Sequence, residues 1–580
     1  MGSLSQARSR RRSAGQVYAL ASLQREIQAT DPNGRRKYLR DFSEAFRDYE
    51  SLLTLAQVEA ELHQADVVLV GDYHALPVSQ RFASRILERA AKGGRPVVLG
   101  VETVFARDQH ILDEWVRGEI DDEELRERIR FDLDWGYPWE PFRDLLVTAR
   151  QHAVGIYGLD CMPRDDLRKI RTRDRHAAQK IAEMARRHPK AIIVALFGES
   201  HLAPNHIPEV LRAALPDAGV LTVLQNIDHL YWRAAGERRE HVEAVRVERD
   251  VLCVFNATPL EKYESYRQCI ERWREEHAAP DLAPTFYNLV DALARFLHID
   301  KYAAHNGTQP AYLVDRMPEV YSRPSQEAMC KLLARKGAVA GEMKEILARI
   351  ASSGSCYVPR IGAIFVREFQ MVGGAEEAAR FVHHACRPAT PAADTEAARS
   401  EYAQREERFY SRVVENALGY FGSRLLYPAR PAARESDLYA LYAQPQEAIE
   451  EQTLYTYREY MEMIDFLVVH KDFEANARRY STVPELIRLG VAFSGAKFAF
   501  ASEKLGYILG SELYDSYLAG HLSKRYIRSL FFRKLTGPAA RDTYFQIVGK
   551  AHHPRKRAHK HSAISDLSPM GCSTRPRTVS

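Results

Sequence analysis

Residues 65–74, ADVVLVGDYH, decide how the rest of the chain is read. The Val- and Leu-rich run shows no polar–apolar alternation, which is the pattern of a strand covered on both faces, as in a parallel sheet. The run stops at Gly71, and Asp72, Tyr73 and His74 follow at once. A glycine there lets the chain turn sharply as it leaves the sheet and lets a ligand approach the backbone. The same grammar returns at AIIVALFGESH (191–201), which ends in Gly198, Glu199, Ser200 and His201. Further apolar runs are PVVLGVE (96–102), AVGIYGLD (153–160), GVLTVLQN (219–226) and VLCVFN (251–256). Charged, helix-length stretches such as LRKIRTRDRHAAQKIAEMARRH separate most of them. Strand, helix, strand in repetition predicts an α/β fold with a largely parallel sheet flanked by helices, which we place at residues 49–275.

Beyond Pro280 the pattern changes. Residues 276–400 read as a mixed, mostly helical middle region with a short strand pair around YVPRIGAIFVREFQMV, closed by the loop RPATPAADTEAARS. Residues 401–548 read as an α-helical domain, so the C-terminal half is mostly helical. Within it, LGYFGSRLLY (418–427) and LGYILGSELY (505–514) agree at five of ten positions. A duplicated helical hairpin or a shared helix-packing composition would each produce that. Residues 1–48 read as a basic N-terminal arm and helix, and 549–580 as a disordered, basic, His-rich tail.

The chain has 580 residues, 46% hydrophobic and 27% charged, which excludes collagen-like, mucin-like and wholly disordered classes and requires more than one core. Its seven cysteines are odd in number and widely scattered, which argues against a disulfide framework or a Cys-rich zinc module and for a reducing cytoplasm. The net charge of +5 divides unevenly: +4 lies in residues 1–14 and +6 in 550–580, so the body between them stands at −5. A nucleic-acid enzyme concentrates positive charge on a folded face, so no nucleic-acid partner is expected of the body. The most apolar long stretch, VAFSGAKFAFASEKLGYILG, is interrupted by Lys497, Glu503 and Lys504, so no transmembrane segment is expected. No signal peptide or lipobox is read at the start, which again favours the cytoplasm.

In an open parallel sheet, ligands bind beyond the carboxyl ends of the strands. Those ends deliver His74, Glu102, Asp160, His201 and, after the fifth run, Asn226, Asp228 and His229. Two imidazoles and a carboxylate converging above one rim can bind a metal, act as general base and acid, or ligate a cofactor iron. His74, Glu102 and His201 are therefore the candidates for catalysis and equally for a divalent metal ion. Glu199 pairs with His201 only if both side chains point the same way. His383, His384 and Cys386, in ARFVHHACRP, read as a helix-end cluster rather than a metal or haem-thiolate site.

Taken together, Gly71–His74, Glu102 and Gly198–His201 resemble the haem-binding uptake / Tiki superfamily, in its ChaN-like branch related to erythromycin esterase and TraB-type proteins. Secondary matches are Gln109, Gly118, the aromatic run Trp135, Tyr137, Pro138, Trp139, the segment led by Arg173 and Asp174, and HLAPNHIP. The resemblance spans about 60–240. Asp72 stands where the family usually has Glu, and Ala177 where Met is common. The resemblance implies a protein binding haem, another iron tetrapyrrole or a metal, with Tyr73, His74, Glu102, His201, Trp135 and Tyr137 around the cofactor; Tyr73 could ligate an iron but reads rather as a structural, wall-forming tyrosine. Its wider membership implies the alternative of a metal- or His-dependent hydrolase of ester or peptide bonds through His74, Glu102 and His201. The expected partner is a small molecule or haem, and the helical half is free to dock a protein.

Overall fold

The computed structural model describes residues 2–30, 42–162, 164, 169–236, 242–274, 281–302, 313–387, 400–453, 455–476 and 480–551. Eight strands form one sheet: β1 (Ser51–Leu53), β2 (Val67–Asp72), β3 (Val97–Phe105), β4 (Gly155–Asp160), β5 (Ile192–Gly198), β6 (Val220–Gln225), β7 (Ala244–Glu248) and β8 (Val251–Val254). Their spatial order is β1-β7-β8-β6-β2-β5-β3-β4. From β8 to β4 all neighbours are parallel. β7 runs antiparallel to both β8 and β1.

Every apolar run read from the sequence is one of the six parallel strands, and the reason is visible in the two cores. Val68, Val70, Leu99, Val101, Val194 and Leu196 pack into one cluster with the helices Pro77–Lys92 and Trp139–His152. Val67, Leu69, Val98, Ile193, Ala195 and Phe197 pack into another with the helix Ile170–Arg187. Successive side chains leave a strand on opposite faces, so a sheet buried on both sides needs apolar residues at every position. The sequence reading missed β1 and β7. The first, at the sheet edge, has three residues, and the second, one strand in, carries Arg246 and Glu248, which break its apolar run.

The C-terminal half is helical, as expected. Its core includes the helices Met371–Cys386, Glu401–Leu426 and Gly495–Ala519. The two similar ten-residue stretches lie on the last two of these helices, which pack against each other. A Cβ on Gly506 would meet Asn416 Cβ at 2.4 Å, and one on Gly510 would meet the Ala417 carbonyl oxygen at 2.5 Å. Close approach of these two helices therefore accounts for Gly506 and Gly510, while Gly419, the position aligned with Gly506, faces Glu376 and Arg380 of the helix Met371–Cys386. The expected strand pair is an antiparallel hairpin, β10 (Ser355–Val358) with β11 (Ala363–Val366). β9 (Glu319–Ser322), unread in the sequence, joins it in parallel.

The helix Gly2–Thr30 is not a free arm along its second half. Ala19, Leu23 and Ile27 enter the C-terminal core, and Gly15 lies against the Leu425 carbonyl. The side chains of Arg8 and Arg10–Arg12, and residues 552–580, lie outside what is described. Six cysteines are unpaired among the described residues. Among these residues, no helix is long and apolar enough to cross a membrane.

Candidate functional site

Sheet register brings the two Gly-x-x-His segments together. β2 and β5 are neighbours, and Asp72 pairs with Gly198. The chains therefore leave the sheet side by side, carrying His74 and His201 to the same rim. β3 flanks β5 on the other side and delivers Glu102 beside them.

Glu102 is the centre of the cluster. Its Oε2 accepts the backbone N–H of Gly198 at 2.6 Å, and its Oε1 accepts Arg173 Nη2 at 2.6 Å. His74 Nε2 lies 3.8 Å from Oε2, and His201 Nε2 lies 3.9 Å from Oε1. A Cβ on Gly198 would sit 3.2 Å from both Glu102 Oε2 and His74 Nε2, so glycine leaves room for the contact. Burial works to raise the Glu102 pKa, but the charges of His74, Arg173, His201 and Arg164 outweigh it and bring it down to about 2.

Each imidazole is held from behind. His74 Nδ1 is 2.8 Å from Asp72 Oδ2, and Gln80 donates to the other Asp72 oxygen. Burial disfavours a charged His74, yet Asp72 and Glu102 outweigh it and raise its pKa above the ordinary 6.5. His201 Nδ1 is 2.5 Å from Asp174 Oδ1, and His206 Nδ1 is 2.6 Å from Asp174 Oδ2. Arg173 also forks onto Asp160, at 2.9 Å to each oxygen. Arg164 adds a third layer, bonding Asp160, the Asp134 carbonyl and the Glu102 carbonyl.

The cluster opens on a cavity of about 780 Å³. Trp135 and Tyr137 pack on the His74 ring, with centroids at 4.4 and 5.2 Å. All six residues expected around a cofactor line this cavity, so the structure brings them together. Tyr73 faces a different neighbour: the Lys262 ammonium sits 4.5 Å from its ring centroid. Burial, with Tyr263 and Glu199 next, pushes the Tyr73 phenol well above its ordinary value, which disfavours the phenolate an iron ligand needs.

The readings of the remaining residues divide. Glu199 does not pair with His201; its Oε1 holds Lys262 at 3.0 Å. Gln109 ties the β4 backbone through Ile156 and Gly158 and stands away from the cavity. The expected metal set comes together in space without forming a metal site: no group of three or more His, Cys, Asp or Glu is arranged to hold an ion among the described residues. His383 is buried, and neither ring nitrogen has a hydrogen-bond partner among the described residues. Arg164 and Lys262 escaped the site reading; Asp160 was read as a strand end, and Asp174 and His206 stood only within the family-like segments, without a site role. RTRDRH, with an acidic residue on a helix facing the second His, was the available signal for Asp174.

A family model described as haem-binding uptake, Tiki superfamily, ChaN matches residues 58–193, which includes Asp72, His74, Glu102 and Asp174 and stops short of His201. No curated protein matches the chain. A solved structure titled cofacial haem binding to ChaN of Campylobacter jejuni is similar at 13% identity, over 30% of this chain and 86% of that one, with a TM-score of 0.23. The family match covers residues 58–193, a ChaN-like region that forms part of the α/β sheet within a longer chain.

Proposed function

We propose that the ChaN-like part of the chain binds a small organic molecule in the cavity and hydrolyses an ester or amide bond in it by proton transfer between His74 and His201. The observation carrying this reading is that two imidazoles, each anchored through Nδ1 by a buried carboxylate, turn Nε2 toward opposite oxygens of one ionised Glu102. In the tautomer whose Nδ1–H goes to Asp174, the His201 Nε2 lone pair is the atom that takes a proton from an attacking water. As water oxygen bonds to the carbonyl carbon, Asp174 steadies the imidazolium that forms. When the bond to the leaving group breaks, a protonated His74 gives it the proton. Glu102 keeps both rings aimed and offsets their charge.

A second reading is favoured by the family description, which names haem. The residues present fit a tetrapyrrole: His201 Nε2 would hold the iron, and Trp135 and Tyr137 would wall the macrocycle. The iron would supply redox or ligand-binding chemistry there. For either reading we take 49–275 as the working unit, with 276–400, 401–548 and the two terminal segments as the remaining divisions.

Haemin titration and hydrolysis of 4-nitrophenyl acetate, run on the wild type, His74→Ala and His201→Ala, separate the readings. Hydrolysis lost in both variants supports proton transfer. A Soret band lost in His201→Ala, with no hydrolysis in the wild type, supports the tetrapyrrole. Neither signal in the wild type rejects both.

A further inference from the structure

The cavity's second wall carries an asymmetry of charge that the His/Glu cluster does not use. Three lysine and arginine side chains line the cavity, Arg164, Arg173 and Lys262, and each is already paired with a protein carboxylate. Lys262, whose side chain is 8% exposed, holds Glu199 Oε1 at 3.0 Å and the Asn226 carbonyl at 3.3 Å. The cations thus have their counter-charges within the fold. The carboxylates do not balance in the same way. Glu199 Oε2 and Asp228 Oδ1 are buried atoms without a hydrogen-bond partner among the described residues, although the Asp228 carboxylate also meets the Tyr263 hydroxyl. Glu199, Asp228 and Lys262 together carry a net −1 when ionised. Around them stand the aromatic rings of Tyr73, Tyr263, Tyr266 and Trp232, all on the cavity wall.

A buried acceptor without a donor costs free energy until something donates to it. Carboxylate oxygens beside aromatic rings favour an ammonium group, through charge-assisted hydrogen bonds and attraction to the ring faces. An anionic group arriving here would find every cation committed and two spare carboxylate oxygens opposing it. We propose that the ligand of this cavity carries a protonated amine, received at Glu199 and Asp228 beside Lys262. This subsite lies outside residues 58–193, on the β5 and β6 ends and the helix Pro259–Arg274. It rests on the reading that the cavity is the ligand site, and not on which chemistry the histidines perform.

The test uses the full chain and a matched pair of probes, tyramine and 3-(4-hydroxyphenyl)propionate, followed by thermal shift and by quenching of tryptophan fluorescence. Tyramine is expected to bind and stabilise, and the propionate to do neither. Asp228→Asn should weaken tyramine roughly tenfold or more, and Glu199→Gln should act in the same direction. The probe comparison needs no variant, so it holds even if Glu199→Gln unsettles Lys262. Equal binding of the two probes, no binding of tyramine, or unchanged tyramine affinity in both variants overturns the proposal. His201→Ala separates it from the hydrolase reading. Lost hydrolysis with retained tyramine binding leaves the subsite standing. Intact wild-type hydrolysis without tyramine binding removes the subsite alone.

Discussion

His201 and Asp174 stand 27 positions apart in the chain and 2.5 Å apart in space. The carboxylate that fixes the second histidine comes from the helix Ile170–Arg187, not from a strand end. Because the same carboxylate also holds His206, it is fixed at both oxygens. Asp174→Asn should release the His201 tautomer while leaving the helix intact. The expected loss is about 10–100-fold in hydrolysis or haemin affinity. A pH–rate profile checks it, because a purely structural defect would lower the rate at every pH without moving the curve.

Removing the charge at Glu102 leaves Arg173 with Asp160 alone and takes the acceptor charge from between two imidazoles. Glu102→Gln should destabilise the fold by about 3–5 kcal/mol, the usual cost of breaking one side of a buried pair. Urea denaturation measures it. A change below about 1 kcal/mol would mean that Asp160 alone satisfies Arg173.

The pH dependence of that difference has a defined sign. Glu102 is held at about 2 in the fold, below the ordinary 4.5. Its ionised form therefore adds stability above pH 4.5, and the contribution is lost as pH falls toward 2. The gap in melting temperature between wild type and Glu102→Gln should narrow across that window. His74 runs the other way. Its raised pKa gives stability that is complete below 6.5 and is lost as pH rises through the folded value.

Gly506→Ala places a methyl group against Asn416 Cβ and the Val413 carbonyl, where the added Cβ would lie at 2.4 and 2.8 Å. Alanine is the better helix former by about 1 kcal/mol, but overpacking a closed helix contact outweighs that gain. A net loss of about 1–3 kcal/mol is expected, read as a lower melting temperature. Gly549→Ala is the control, since a Cβ there meets nothing within 4 Å.

Much of the α/β sheet was legible because burial on both faces writes itself into every residue of β2, β3, β5 and β6. The rim of the site was legible for the same reason, since strand ends can be read in order. Glu199 shows where that reading stops. Its place beside His201 in sequence suggested a pair, but successive residues after the strand point apart, and Lys262 from a distant helix claims it. Asp174 got no site role because a helix face, not a strand end, brings it in, and His206 comes from the turn just before the helix Ile207–Ala214. β7 was hidden because Arg246 and Glu248 break its apolar run.

The first helix bears on how the molecule is assembled during synthesis. Asn288, made 269 positions later, donates to the carbonyl of Ala19. The same helix lends Gln24 and Ile27 to the cavity. Chains emerge from the ribosome N-terminus first, and domains fold as units as they appear. The sheet can therefore close while this helix still waits for a docking surface, so the ligand chamber acquires its Gln24 and Ile27 wall only once the segment around Asn288 has been made.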